Sequence, residues 1–295
     1  MTPVHRFITR HPVPIYFAGA FAISWAGVLL VIGGPSGIPG TSAQTNPLFP
    51  WVYLAMLVGP SVAGVGMTGL VHRAAGLRRF RSRLLNWRVG AAWYAVALLT
   101  APVLVTGALL ALSLTSVDYR PGILEAGDKT SRLVFGIAVG LGAGTFEELG
   151  WTGFAVPALR RRFGVLATGL IVGALWGGWH LLVVVWGIGT SLGSMPLALF
   201  LLLDLFSFLP AFRVLMVWVY DHTGSLLVAM LMHASLTASM LILGPVAAGG
   251  RLVAYEVALA AMLWLVAGVI GVVEHTRRAG QPRRMTASAL PVRTR

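Results

Sequence analysis

Two adjacent acids, Glu147 and Glu148, stand in GTFEELGWTGF (144–154), inside an otherwise apolar run. A charged side chain at the centre of a bilayer costs roughly 2.5–3.5 kcal/mol on the insertion scale, so such residues turn toward a protein interior and mark function. The other ionisable residues in the apolar runs are His180, Asp204, Arg213, His233 and Glu256. A carboxylate beside an imidazole can activate water, one group taking the proton while the other orients it or gives it back. His233 has the chemistry to donate to an oxyanion, and Thr237, one turn further along the same helix face, adds a hydroxyl. Glu147, His180 and His233 also have the composition of a catalytic zinc set, two His and one Glu with an open position. Either arrangement leads to hydrolysis by an activated water. Asp204 and Arg213 read as structural partners for neighbouring helices, Glu256 as interfacial, and Trp176 as packing. No H-E-x-x-H occurs, and the chain has no cysteine, which removes thiol nucleophiles and Cys-ligated metals.

The flanking glycines say how these groups are positioned. Gly136, Gly140 and Gly144 precede Glu147, and Gly169, Gly173 and Gly177 precede His180, each at four-residue spacing and ending three residues before the ionisable side chain. Glycines four apart line one stripe and let helix backbones approach closely. The expectation is an antiparallel pair in which Glu147 faces the glycines of the second helix and His180 those of the first.

The elements that carry them are membrane spans. The chain of 295 residues is 57% hydrophobic and 11% charged, with a mean hydropathy of +0.82. Soluble domains average about 25% charged residues. The apolar residues come in runs of about 20, the length that crosses a bilayer core. The reading is an all-α polytopic membrane helix bundle of about eight transmembrane helices: 13–33, 51–71, 90–114, 133–157, 165–187, 196–219, 224–244 and 252–273. Placing the N-terminus in the cytoplasm puts 17 basic residues in inside segments and four outside. The positive-inside rule then places both termini in the cytoplasm. The same asymmetry accounts for the net charge of +13 without a nucleic-acid partner.

One transmembrane domain covers 1–274, with a catalytic core at about 130–245. LRRFRSRLLNWRV, 77–89, spaces Leu77, Phe80, Leu84 and Trp87 helically among arginines, as an interfacial helix with its basic side on lipid phosphates does. Residues 275–295 read as a basic, disordered cytoplasmic tail.

The motifs EELGWTGFAVPAL (147–159), WGGWH (176–180) and HASLT (233–237) resemble those of the CPBP (Abi) intramembrane proteases, relatives of the type II CAAX prenyl endopeptidases. That family's patterns are Glu-Glu-x3-Arg, aromatic-x3-His and His-x3-Asn, on successive membrane helices in this order. The resemblance covers most of 70–240. It implies that Glu147 is the general base activating water with His180 as its partner, that Glu148 supports the pair, and that His233 forms the oxyanion site. Thr152 stands where the pattern often has Arg, which removes a charge that would steady the doublet. Thr237 stands where it often has Asn. The expected activity is an intramembrane endopeptidase of a bacterial cytoplasmic membrane, with a peptide or membrane protein as substrate, lipid around it and zinc as the candidate cofactor. The alternative is a non-proteolytic membrane protein, either an immunity partner or a proton-coupled transporter, since buried Glu/His relays also serve transporters. Broken helices at matching positions of two half-chains, which would favour a transporter, are not evident.

Overall fold

The computed structural model describes residues 3–38, 46–188 and 191–279. Among the described residues eight helices are long and apolar enough to cross a membrane, and no strand occurs, so the chain is a multi-pass, all-α membrane protein. In order they are span one (Pro12–Val31), span two (Phe49–Leu84), span three (Ala91–Ser113), span four (Lys129–Leu159), span five (Val165–Gly187), span six (Leu197–Thr223), span seven (Leu226–Leu243) and span eight (Gly250–Glu274). The last helix continues to Ala279, five residues into the segment expected as tail. Positions 280–295 of that segment lie outside the described residues.

The glycine stripes do create close approaches, but not with each other. A Cβ on Gly140 or Gly144 would sit 2.5 Å from the Ala234 carbonyl oxygen or 2.3 Å from that of Met230, both on span seven. A Cβ on Gly173 or Gly177 would sit 2.4 Å from Pro210 Cα or 2.0 Å from the Leu205 carbonyl oxygen, both on span six. Span four therefore nests on span seven, and span five on span six. The expected face-to-face pairing of the two stripes is corrected. A stripe of small residues shows that some backbone comes near without naming which one.

Two spans contain a π-turn, a local widening by one residue that is frequent at functional sites. In span four the α-helix Lys129–Glu148 gives way to a π-turn at Trp151–Ala155, where the Ala155 N–H donates to the Gly150 carbonyl at 3.1 Å. In span six the π-turn is Asp204–Phe208. Span four starts at Asp128, whose side chain accepts from the Ser131 N–H at 2.9 Å. That bond and the Ser131 hydroxyl hold the Asp128 carboxyl below the usual carboxylate range, so it stays charged at the helix start. Spans six and seven form a tight hairpin: Gly224 takes the left-handed conformation (φ 59°) and the Ser225 hydroxyl caps span seven.

Span two breaks at Arg73 (φ 52°, ψ −154°) and resumes as a basic helical segment to Leu84. The interfacial helix expected at 77–89 is thus helical to Leu84, and 85–90 cross to span three without helix. Arg83 ties this segment to the rest of the bundle, donating to the Tyr220 hydroxyl at 2.8 Å and to the Gly153 carbonyl at 3.0 Å.

Candidate active site

The doublet sits at the end of the α-helical part of span four, where the small stripe of that helix gives way to the π-turn. Both acids are buried, Glu147 3% and Glu148 0% exposed. Each takes a donor from the residue one turn ahead: the Trp151 indole N–H reaches Glu147 Oε2 at 3.3 Å, and the Thr152 hydroxyl donates to Glu148 Oε2. Beyond that shared feature the two acids have different surroundings.

Glu148 is saturated. One guanidinium nitrogen of Arg213, from span six, donates to both its oxygens at 2.8 and 2.9 Å, and His233 Nδ1 lies 2.8 Å from Oε1. Arg213 is itself 0% exposed. An isolated buried carboxylate is very costly, and pairing with hydrogen bonds to both oxygens is what makes one tolerable. The charge absent at Thr152 is therefore supplied from another helix, while Thr152 contributes a hydroxyl. With Glu148 ionised in this pair, His233 Nδ1–H is the donor, and Nε2 points toward Glu147 Oε2 at 4.0 Å.

Glu147 has one oxygen occupied and one bare. Trp176 donates its indole N–H to Oε2 at 2.7 Å, alongside the Trp151 indole, and among the described residues no hydrogen bond reaches Oε1. Trp176 is the hub of the site. Its ring face lies 4.1 Å from the Arg213 guanidinium carbon, its edge meets the His233 ring with centroids 4.9 Å apart, and the His180 ring with centroids 5.6 Å apart. That face compensates the guanidinium, whose Nε and second terminal nitrogen have no hydrogen-bond partner. The Trp176 carbonyl lies 2.9 Å from His180 Nδ1. Accepting from that nitrogen, it leaves His180 Nε2 with a free lone pair. His180 is half-buried, its ring edge-to-face with both Trp176 and Trp179.

Four of the five expected side chains thus gather from spans four, five and seven. Thr237, half-buried one turn beyond His233, forms no hydrogen bond among the described residues. Trp176 is a donor and an organiser as well as a packing residue, and Arg213 is the counter-charge of the site; both roles exceed what residue type alone implied. The aromatic-x3-His spacing was the signal for Trp176, and a charge inside span six was the signal for Arg213. Glu256 is 3% exposed, packed among the helices near the start of span eight.

As a metal site the geometry does not fit. Among the described residues no three His, Asp or Glu side chains are grouped to hold an ion. Glu147 Oε1, His180 Nε2 and His233 Nε2 each remain without a hydrogen bond among the described residues, but the three groups are not drawn together as an ion would require. No step below is routed through zinc.

A helical membrane bundle enclosing two acids, two imidazoles and one guanidinium defines a polytopic membrane protein with a buried acid–imidazole centre. Residues 129–239, which hold every one of these groups, match the family described as type II CAAX prenyl endopeptidase, Rce1-like. The chain is also 24% identical over 173 residues to the CAAX prenyl protease 2 of Methanococcus maripaludis, a match covering 56% of each protein. It thus spans little more than half the length of that curated relative.

Proposed function

We propose that this protein is an intramembrane endopeptidase that hydrolyses a peptide bond with a water activated by Glu147 and His180. The observation that carries the reading is the asymmetry of Glu147: Oε2 is held by two indole donors and Oε1 has no hydrogen bond among the described residues, while the His180 ring packs on the same Trp176 with Nδ1 on its carbonyl and Nε2 uncommitted. A water donating one hydrogen to Oε1 and the other to His180 Nε2 has its own lone pair directed at a substrate carbonyl. Glu147 takes the proton as the oxygen–carbon bond forms, and returns it to the amide nitrogen as the carbon–nitrogen bond breaks. The products are one carboxylic acid and one amine, with the base restored. His233 stands where the oxyanion develops. Its Nδ1 stays on Glu148 while Nε2 is turned to the oxyanion as the hydrogen-bonding atom. Glu148 and Arg213 stay paired throughout and hold His233 in place. The two indole N–H groups hold the Glu147 carboxylate in one orientation, so that the base meets the water already aligned.

The relative's name points to peptides with a C-terminal prenylated CAAX sequence as the first substrates to try, followed by unmodified peptides and membrane proteins. The test is cleavage by the purified protein in proteoliposomes, with products read by mass spectrometry. Glu147→Gln and His233→Ala should each abolish cleavage while the protein still elutes as a folded species. A chelator arm with metal analysis should leave turnover unchanged. Equal turnover by wild type and both variants would reject the assignment. The arginine asymmetry supports a cytoplasmic side for both termini, which would set the site nearer that face; cysteine labelling of an exposed loop position checks that orientation.

A further inference from the structure

The segment joining spans two and three walls a cavity of about 490 Å³ at the arginine-rich end of the bundle, lined by Ser82, Arg83, Asn86, Trp87, Arg88 and, from the span six–seven hairpin, Gly224. Two guanidinium groups border it, and neither has a carboxylate partner among the described residues. Arg83 donates only to neutral oxygens: the Arg79 carbonyl at 3.3 Å, the Tyr220 hydroxyl at 2.8 Å and the Gly153 carbonyl at 3.0 Å. Arg88 rests over the Trp87 ring, 5.1 Å from its centroid, and makes no hydrogen bond among the described residues. The chain offers them no nearby acid. No Asp or Glu precedes Asp118 in the sequence. At this end Asp221 is already taken by Arg160 at 3.0 Å, and Glu274 lies 3.9 Å from His222.

The frame of the cavity is preformed. Asn86 donates to the Thr223 carbonyl at 3.1 Å, and its own carbonyl accepts from the Ser225 hydroxyl at 2.6 Å, so the linker is fastened to the hairpin on both sides. Its outer edge is apolar and open: Trp87 is 61% exposed and Leu85 58%. An exposed Trp beside unpaired arginines, just past the end of one span and just before the next, is the arrangement of a bilayer boundary. Two like charges held on one concave surface need an anion, and a planar guanidinium matches a phosphate with two parallel hydrogen bonds.

We propose that this cavity binds the phosphate of an anionic phospholipid, Arg88 and Arg83 meeting the charge while the acyl chains leave past Leu85 and Trp87. The inference is independent of the proposed peptidase chemistry, and its test reads no cleavage. Delipidated full-length protein in an uncharged detergent is titrated with phosphatidylglycerol, phosphatidylcholine or inorganic phosphate, and retained ligand is counted by native mass spectrometry. Phosphatidylglycerol should be retained at the lowest concentration. Arg88→Gln should weaken that retention at least about fivefold, what one basic side chain at a membrane surface is worth. Arg81→Gln, exposed on the preceding helix but outside the cavity, should leave it unchanged, and phosphatidylcholine retention should not change in either variant. Because Arg88 is exposed and makes no hydrogen bond among the described residues, only its contact with the Trp87 ring is lost, and the variant should elute as wild type does. Equal retention of the two lipids, equal loss in both variants, or no loss with Arg88→Gln overturns the site. Retention of inorganic phosphate as strong as that of the lipid overturns the lipid as its source.

Discussion

Glu147 and Glu148 are neighbours in the chain and opposites in the structure. The Glu148 side is closed: one guanidinium, one imidazole and one hydroxyl fill its oxygens, and nothing remains for a substrate to use. The Glu147 side is half open, with one oxygen pinned by indoles and the other left bare. The pair divides its labour, one acid organising the site and the other able to react. A doublet in which both acids were saturated would be a structural ion cluster, and one in which neither was would be too costly to bury.

The contrast is broken most sharply by removing each acid in turn. Glu147→Gln should lower peptide turnover about 10³-fold, the scale of a lost general base, while unfolding in a denaturing-detergent titration stays near wild type. Loss of folded protein instead would make Glu147 a structural residue. Arg213→Ala should show the reverse emphasis, costing about 3–5 kcal/mol of stability in the same titration because Glu148 is left buried and unpaired. Adding Thr152→Arg to that variant should recover part of the loss, since it returns a cation to the helix that carries the acid. Trp176→Phe keeps a ring under Arg213 and removes only the N–H on Glu147. It should cost about 1.5–3 kcal/mol of transition-state stabilisation, seen as a fall in kcat larger than any change in unfolding midpoint. Gly177→Ala tests the framework, because its Cβ would sit 2.0 Å from the Leu205 carbonyl oxygen. The expected cost is about 1–3 kcal/mol of stability, and an unshifted midpoint would show that spans five and six separate freely. The smallest effect belongs to Thr237→Val, which should change turnover less than about threefold because the hydroxyl has no bond to lose. A large drop would mean that it meets substrate.

Much of this architecture is legible in one sequence. Apolar runs of about 20 residues mark the spans, because the bilayer allows little else, and their ends match the observed helices within a few residues except where span two carries on past Arg73. The ionisable residues inside those runs flag the doublet and both histidines by their cost alone. What is not legible is pairing. Arg213 announces itself as a charge in a span, but its partner is 65 residues away and only the fold brings them together. The glycine stripes announce close approach, yet the helices they touch are seven and six rather than each other. Trp176 reads as bulk because most buried Trp is bulk, and its N–H matters only once an acid is seen beneath it. The π-turn after Glu148 has no periodic signature, since it is one extra residue in an otherwise regular helix.

The counter-charge of Glu148 is made later than Glu148 itself. Spans enter the membrane in the order they are synthesised, so the acids of span four arrive two spans before Arg213, and His233 arrives one span later still. A cation on the acid's own helix would travel with it. Here span four must wait, its carboxyls protonated or still facing water in the insertion machinery, until span six is delivered. Locking of the interior is thereby postponed until spans six and seven have entered, and a nascent chain stopped before residue 213 would hold the same acids with nothing to answer them.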